Sequence, residues 1–550
     1  MFFTKVNNWI ENNKAISYLL LFLLVFVFFT WLEYAPVFSD PDSFYHAKVT
    51  QIMSEEGVIR DFPYLQFTTL REGYIDHHLA YHLYLIPFVK IFPLAVGVKI
   101  GHILLVCLAF LMFYWLLNKM KVYFAHYYTL LLFFAAPFVF RMGLIKAQPL
   151  SLIFLFLGSY LILNRKYILL FVLSWFYVWS YGGWFLMLIL AGIYVFVESL
   201  DVAIGGTRET LLSKIMNFGK GRFGFIDRIY SFIIYFIRNA FKIENIFLIG
   251  SVFCGLTAGL VINPYFPKNL EFYWVHIIKI AFINYQDTIG VGAEWYPYTP
   301  NQFFTNSMIP VVLGFAALLI FLNYHKKFDI KVKYFLALFL AFLLATLKSR
   351  RNIEYFTPFG IIFAGVVFSR AIDIRSIKND LKEFKKALRK ILLYDLYIKI
   401  FLGMCLAFFI GLVVFNMPYQ AKKELSDGAN YNYLAGASQY LINNSEQGEI
   451  VLHSDWDEFP MLFFHNNHNY YIVGLDATFM YLYDSELYEK WVDITQGKRY
   501  KKLYNIIKDD FEASYILSTT DHEDMIRSLD NNFYFDKVYE DNEAIIYKVL

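Results

Sequence analysis

Residues 16–48, ISYLLLFLLVFVFFTWLEYAPVFSDPDSFYHAK, join an apolar run to an acidic one. The first part is about twenty mostly apolar residues, enough for a helix to cross the hydrocarbon of a bilayer. The second part sets Asp40 and Asp42 at the mouth of that helix, followed by Tyr45, His46 and Lys48. Hard divalent cations and phosphorylated substrates both need carboxylate oxygens with cations nearby, so this pair reads as part of a site rather than helix punctuation.

The rest of the chain extends the membrane reading. Its 550 residues are 58% hydrophobic and 21% aromatic but only 17% charged, which excludes an ordinary soluble globule. Apolar runs recur at 16–36, 98–117, 123–141, 149–163, 166–180, 183–198, 244–263, 306–323, 332–347, 353–370 and 399–416. They predict about 11–13 transmembrane helices. Lys5 and Lys14 precede the first run and no small-residue cleavage site follows it, so it is expected to remain as an anchor. Cys107, Cys254 and Cys405 fall inside predicted spans, so no disulfide framework is expected.

Basic residues follow alternate spans: Lys119 and Lys121, Arg165 and Lys166, the 208–242 loop, Lys326 to Lys333, and Arg375 to Lys390. With the N-terminus inside the cell, the positive-inside rule puts all of these on the cytoplasmic face. The basic loops 199–242 and 371–398 then read as solvated, headgroup-facing surfaces. The same topology puts loops 37–97, 142–148, 264–305 and 348–352 on the outer face, together with residues 417–550. In that last segment hydropathy drops, and EIVLHSD, NYYIVGL and ASYILST alternate as strands beside helical stretches such as 483–493. The expected organisation is a membrane domain, 1–416, with outer loops 37–97 and 264–305, and an extracytoplasmic soluble α/β domain, 417–550.

The unusual polar residues gather on the outer face. Glu294 sits in IGVGAEWYPYTP, with Asp287 just before it, where glycines, prolines and aromatics suggest a shaped re-entrant loop. Lys348, Arg350 and Arg351 lie against the charge rule in LKSRRNIEYFTP. Their guanidiniums suit bidentate binding of a lipid phosphate or pyrophosphate, beyond snorkelling to headgroups. REGYIDHHLAYH brings His77, His78 and His82. His78 and His82 have metal-sharing i, i+4 spacing but no third ligand, so hydrogen bonding to a polar substrate is the preferred reading.

The order of an acidic first outer loop, a glutamate in GAEWYP, an outer arginine before YFTP, and a C-terminal α/β domain with SDWDEFP resembles the catalytic subunit of oligosaccharyltransferase and its single-subunit bacterial and archaeal relatives, which are C-type (GT-C) glycosyltransferases. The resemblance implies a polyprenyl-linked glycan donor, contact with membrane lipids, a protein or glycan acceptor, and no nucleic-acid partner. It implies Mg2+ or Mn2+ at Asp42, with Asp40 as rival, and at Glu294, which orients the acceptor amide in that family. The family's second acidic motif follows an arginine and a glycine. Here Arg141 and Gly143 are followed by Lys146 and Gln148 in FRMGLIKAQPL, so both expected acids are replaced.

That exchange removes negative charge and adds an ammonium, which argues against a bound divalent cation. The expectation is that Lys146, with Arg351, neutralises the leaving lipid phosphate in the metal's stead, and that Asp42 or Glu294 takes the acceptor's proton. Arg350, His77 and His78 are the further candidates for lipid-phosphate contact.

The family's W-W-D-Y-G motif corresponds to Asp455, Trp456, Asp457, Glu458 and Phe459, where the second tryptophan and the aspartate survive. Asp455, Trp456 and Asp457 are the expected acceptor-binding residues. Carboxylates in place of a tryptophan wall favour an acceptor carrying hydroxyls or an amine over the Asn-x-Ser/Thr sequon. A membrane enzyme of a bacterial or archaeal plasma membrane, working on the outer face, is the leading reading. A lipid-glycan transporter or flippase, and a non-catalytic scaffold relative, are the alternatives.

Overall fold

The structure, a computed structural model, describes residues 12–217, 225–283, 285–373, 416–498 and 502–550, with isolated positions 382, 383, 386, 404 and 411. The apolar runs form helices because a chain in lipid must satisfy its backbone polar groups internally. Among the described residues, seven helices are long and apolar enough to cross a membrane: Lys14–Leu32, Leu94–Lys119, Leu186–Gly205, Ile243–Val261, Met308–Lys327, Ile330–Lys348 and Arg350–Ile372. The expected run 399–416 and most of the basic loop 371–398 lie outside the described residues, as does Cys405.

One predicted span is not continuous. Residues 123–141 break into Ala125–Leu130, a tight turn of helix Leu131–Phe134, and Ala136–Gly143. Pro137, at the start of the last piece, lacks the amide proton that a continuous helix would need there. Ala136–Gly143 then meets Gln148–Leu163, whose own start carries Pro149, at a bend of 112°. If that bent pair is one span the count rises to eight. The run 166–180 forms Tyr167–Ser180, apolar but short.

The segment 37–97 is itself largely helical, with Pro41–Glu56, Leu70–Gly73 and Leu79–Ile91. It is tied to the C-terminal segment in two places. Strand β1 (Val37–Phe38) pairs antiparallel with β2 (Ala429–Asn430). Further on, the Gln66 amide donates to the Tyr471 carbonyl (2.8 Å) and the Tyr471 amide to that of Tyr64 (2.8 Å).

The C-terminal segment carries a five-stranded sheet from β3 (Ile450–His453), β4 (Tyr470–Tyr471), β5 (Ala513–Thr519), β6 (Phe535–Glu540) and β7 (Ala544–Val549), in the order β4-β3-β5-β7-β6. Strand β3 runs parallel to β4 and β5, and β7 is antiparallel to β5 and β6. The three strands expected from the sequence are β3, β4 and β5, and the helical stretch 483–493 is Ser485–Thr495. One apolar core joins the helices to this segment, through Phe38, Phe44, Phe62, Phe459 and Phe463. The rings of Phe38 and Phe44 lie 4.8 Å apart, and those of Phe62 and Phe463 5.4 Å apart.

Candidate active site

A cavity of about 730 Å³ lies where the segment 37–97, the 112° elbow, the loop around Glu294 and the C-terminal domain meet. Asp40, Asp42, Lys146, Glu294, Arg350, Arg351, His77, His78, Asp455, Trp456 and Asp457 all line it. Sequence positions from 40 to 457 thus converge on one space.

Local structure aims each group. Asp40 caps the helix Pro41–Glu56: it is extended, Pro41 opens the first turn, and its carboxylate accepts the Asp42 amide at 2.9 Å. Asp42 is thereby fixed in the first turn. Lys146 sits in the elbow between Gly143 and Gln148, where its amide donates to the Leu144 carbonyl at 2.7 Å. Its ammonium lies 3.0 Å from Asp40 Oδ1 and 2.7 Å from Asp42 Oδ2. Burial, with Asp42 and Glu294 nearby, raises the Asp40 carboxyl against the opposing pull of Lys146.

Glu294 holds two guanidiniums. One oxygen pairs with Arg141 Nη1, and the other lies 3.2 Å from Arg351 Nη1. Arg141 Nε also donates to Glu354 at 2.9 Å, while its buried Nη2 has no hydrogen-bond partner. Burial alone would raise Glu294, but Arg141, Arg351 and Lys146 outweigh it and hold the carboxyl well below its ordinary range. Arg351 also donates to the Tyr181 hydroxyl (3.2 Å) and stacks 4.9 Å from the Trp295 ring centre. The Ser349 hydroxyl donates to the Glu294 carbonyl (2.9 Å), which pins the loop over the cavity.

Several expectations change in detail. Arg350 lines the cavity, but its Nε donates to the Tyr296 carbonyl at 3.3 Å and its ring partner is Tyr298, so it organises the Glu294 loop. His77 and His78 are expected to contact phosphate, yet burial, the largest cause for both, pushes His77 down to about 3 and His78 well below its ordinary value, with Arg351 adding to the effect at His77. They are neutral at neutral pH and offer no charge to a phosphate. His78 and His82 do not share a metal position, because both His82 nitrogens are engaged, by Asp76 at 2.7 Å and His46 at 2.8 Å. Glu458 is turned inward: it accepts from Ser454 (2.6 Å) and Thr519 (2.8 Å) and is 4% exposed, so it holds the domain rather than an acceptor.

In the C-terminal wall, burial and the carboxylates of Asp455 and Glu458 push Asp457 up to about 7. Burial, with the neighbouring carboxylate of Glu458, also raises Asp455. Asp476, capping the helix Ala477–Tyr483, adds a further acid to the lining that the sequence reading did not single out. Gln148, with its Oε1 buried and without a hydrogen-bond partner among the described residues, and His46 also line the cavity. The spacing of Asp476 before ATF, an N-cap pattern, was the one available signal.

The residues present do not fit a divalent cation at the expected position. Lys146 occupies the space between Asp40 and Asp42 that a cation would need, and Glu294 is committed to two guanidiniums. Among the described residues no group of three or more His, Cys, Asp or Glu side chains is arranged to hold a metal ion.

No protein-family model matches the chain, and no curated protein matches its sequence. Solved structures do match. Archaeal oligosaccharyltransferase AglB from Archaeoglobus fulgidus, in complex with an inhibitory peptide and a dolichol-phosphate, superposes with a TM-score of 0.59 at 12% identity, covering 98% of this chain and 75% of that one. The Archaeoglobus fulgidus oligosaccharyltransferase in complex with Zn and sulfate gives 0.53 at 11% identity, covering 96% and 73%. ArnT from Cupriavidus metallidurans bound to undecaprenyl phosphate gives 0.52 at 11% identity, covering 97% and 98%. Over nearly its whole length, this integral membrane chain therefore has the fold of the GT-C glycosyltransferases.

Proposed function

We propose that the protein is a membrane glycosyltransferase that moves a sugar or oligosaccharide from a polyprenyl phosphate or pyrophosphate to an acceptor on the outer face of a bacterial or archaeal plasma membrane. In this reading residues 417–550 form the soluble wall of the site. The observation that carries it is Lys146, held between Asp40 and Asp42 in a cavity that also presents Arg141 and Arg351. Fold neighbours in complex with dolichol-phosphate and undecaprenyl phosphate support a lipid phosphate as the ligand class.

Arg141, Lys146 and Arg351 line the cavity beside Arg350, and the buried Arg141 Nη2 has no hydrogen-bond partner among the described residues. A phosphate entering here meets the planar donors of Arg141 and Arg351 and the compact charge of Lys146. As the bond from the anomeric carbon to the phosphate oxygen breaks, negative charge grows on that oxygen. A fixed ammonium and guanidiniums in a water-poor site stabilise it more than they stabilise the bound donor. Asp40, Asp42 and Glu294 hold these cations in position. Asp455, Trp456 and Asp457 form the acceptor side. An Asp457 carboxyl with a value of about 7 is partly protonated at neutral pH, able to donate to or accept from a hydroxyl.

The test is sugar release or transfer by purified protein from a panel of farnesyl-phosphate-linked and farnesyl-diphosphate-linked sugars. Turnover of at least one donor is expected. Complete inertness together with no binding of undecaprenyl phosphate would refute the reading. Glycosylation of a sequon peptide would refute the acceptor class.

A further inference from the structure

A buried chain of three side chains runs behind the cavity wall and has no part in the phosphate chemistry. Asp76 Oδ2 lies 2.7 Å from His82 Nδ1, and His82 Nε2 lies 2.8 Å from His46 Nδ1. His82 is fully buried, Asp76 is 4% exposed, and His46 is 3% exposed and lines the cavity. The second Asp76 oxygen accepts the His78 amide at 2.9 Å, and the Thr50 hydroxyl donates to the His46 carbonyl at 2.7 Å, so both ends are fixed.

The hydrogen bonds dictate the tautomers. With Asp76 as a carboxylate, His82 Nδ1 carries a proton toward it, and a neutral His82 then has only an acceptor at Nε2. His46 must donate from Nδ1, which leaves its Nε2 as a lone pair with no hydrogen-bond partner among the described residues, on a side chain that lines the cavity.

We infer that His46 is the group that takes the acceptor's proton, with His82 and Asp76 as positioning residues behind it; this rests on the glycosyltransferase reading above. The acceptor's oxygen or nitrogen forms a bond to the anomeric carbon as the carbon–oxygen bond to phosphate breaks, its electron pair leaving with the phosphate. The acceptor's proton passes to His46 Nε2, and the His46 Nδ1 proton passes to His82 Nε2. The imidazolium so formed on His82 faces the Asp76 carboxylate, one ring removed from Lys146. No other co-reactant is needed.

The carboxylates offer less. Glu294 is held by Arg141 and Arg351, and Asp42 lies 2.7 Å from Lys146. Asp40 is the rival, but its Oδ1 already accepts the Asp42 amide and faces Lys146. Around His46 the facing groups are His82, Lys146, His77 and His102; burial, the largest cause, and the Lys146 ammonium both hold its proton affinity down, which favours the neutral ring that a proton acceptor requires.

The test compares wild type with His46→Asn, which retains a donor toward His82 but lacks the cavity nitrogen, and with His82→Gln. Sugar release to water from the farnesyl-linked donor that wild type turns over fastest is measured beside the affinity for undecaprenyl phosphate. The expected result is a fall in kcat of about 100-fold or more for His46→Asn, with a smaller fall for His82→Gln. KM and undecaprenyl phosphate affinity should stay within about twofold of wild type for both, which also reports intact folding. A His46→Asn protein with wild-type kcat would overturn the inference and leave the glycosyltransferase reading standing. So would parallel loss of kcat and phosphate binding, which marks a structural role. A wild type that neither binds undecaprenyl phosphate nor releases sugar would overturn both.

Discussion

The ammonium of Lys146 lies 2.7 Å from the carboxylate of Asp42 and 3.0 Å from that of Asp40, bridging the two. An acidic pair at the mouth of the first membrane helix therefore meets a charge supplied by the protein itself. Lys146 is 6% exposed, and its position follows from the elbow between two helices that Pro137 and Pro149 begin.

Removing that ammonium should restore what it displaces. In Lys146→Ala, Asp40 and Asp42 face each other in the cavity without a counter-charge, an oxygen pair suited to a hard cation. Wild-type thermal stability should be indifferent to millimolar Mn2+ and to chelator, whereas Lys146→Ala should be less stable than wild type and regain stability with Mn2+. Melting curves with and without the ion check this.

Glu294→Gln should separate stability from binding. The substitution leaves Arg141, which is 6% exposed, with Glu354 alone, and leaves Arg351 without its carboxylate. With the Glu294 side chain 26% exposed, solvent screens part of the loss, so about 1–3 kcal/mol of destabilisation is expected. The freed guanidiniums should bind undecaprenyl phosphate more tightly. Denaturation and a binding titration on the same preparation read both effects.

Asp457 gives a pH signature. Its carboxyl is about 7 in the folded protein against an ordinary 3.8, so between those values the folded state binds more protons than the unfolded one. Its contribution to stability therefore falls as pH rises through that window and is lowest above 7. Asp457→Asn carries no such penalty, so its melting temperature should match wild type near pH 4 and exceed it increasingly up to pH 7 and above. A constant difference across the range would contradict the assignment.

The tie between the segment 37–97 and the C-terminal domain depends on Gly428. A Cβ there would lie 2.2 Å from the Phe38 carbonyl oxygen, against backbone that cannot rotate away, whereas one on Gly73 meets nothing within 4 Å. Gly428→Ala should open the β1–β2 pairing and cost about 1–3 kcal/mol, with Gly73→Ala close to wild type. Limited proteolysis between residues 34 and 40 would report the opening.

What the sequence made legible follows the reach of each signal. Apolar runs announced helices because lipid leaves the backbone no alternative, and short stretches of strand-forming residues announced β3, β4 and β5. The break inside 123–141 was written in Pro137, Gly143 and Pro149, but a hydropathy window averages over such punctuation. Strands β6 and β7 were missed: β6, FDKVYE, is largely exposed and mixes charge with apolar residues, so its alternation is faint. The cavity residues were legible by type. Their partners were not, because Arg141 with Glu294 and Glu354, or His46 with His82, are joined by folding across 153, 213 and 36 positions. Glu458, an acid beside Asp455 and Asp457, differs from them because it accepts from Ser454 and Thr519 and so turns inward, which its place in the sequence does not reveal.

Binding of undecaprenyl phosphate to the purified protein, titrated in chelator for wild type and Lys146→Ala, tests the central claim most directly. The account predicts tight binding by wild type that chelator does not alter, and a loss of at least about tenfold in Lys146→Ala. Binding that chelator abolishes and Mn2+ restores in the wild type, or undiminished binding by Lys146→Ala, would contradict it.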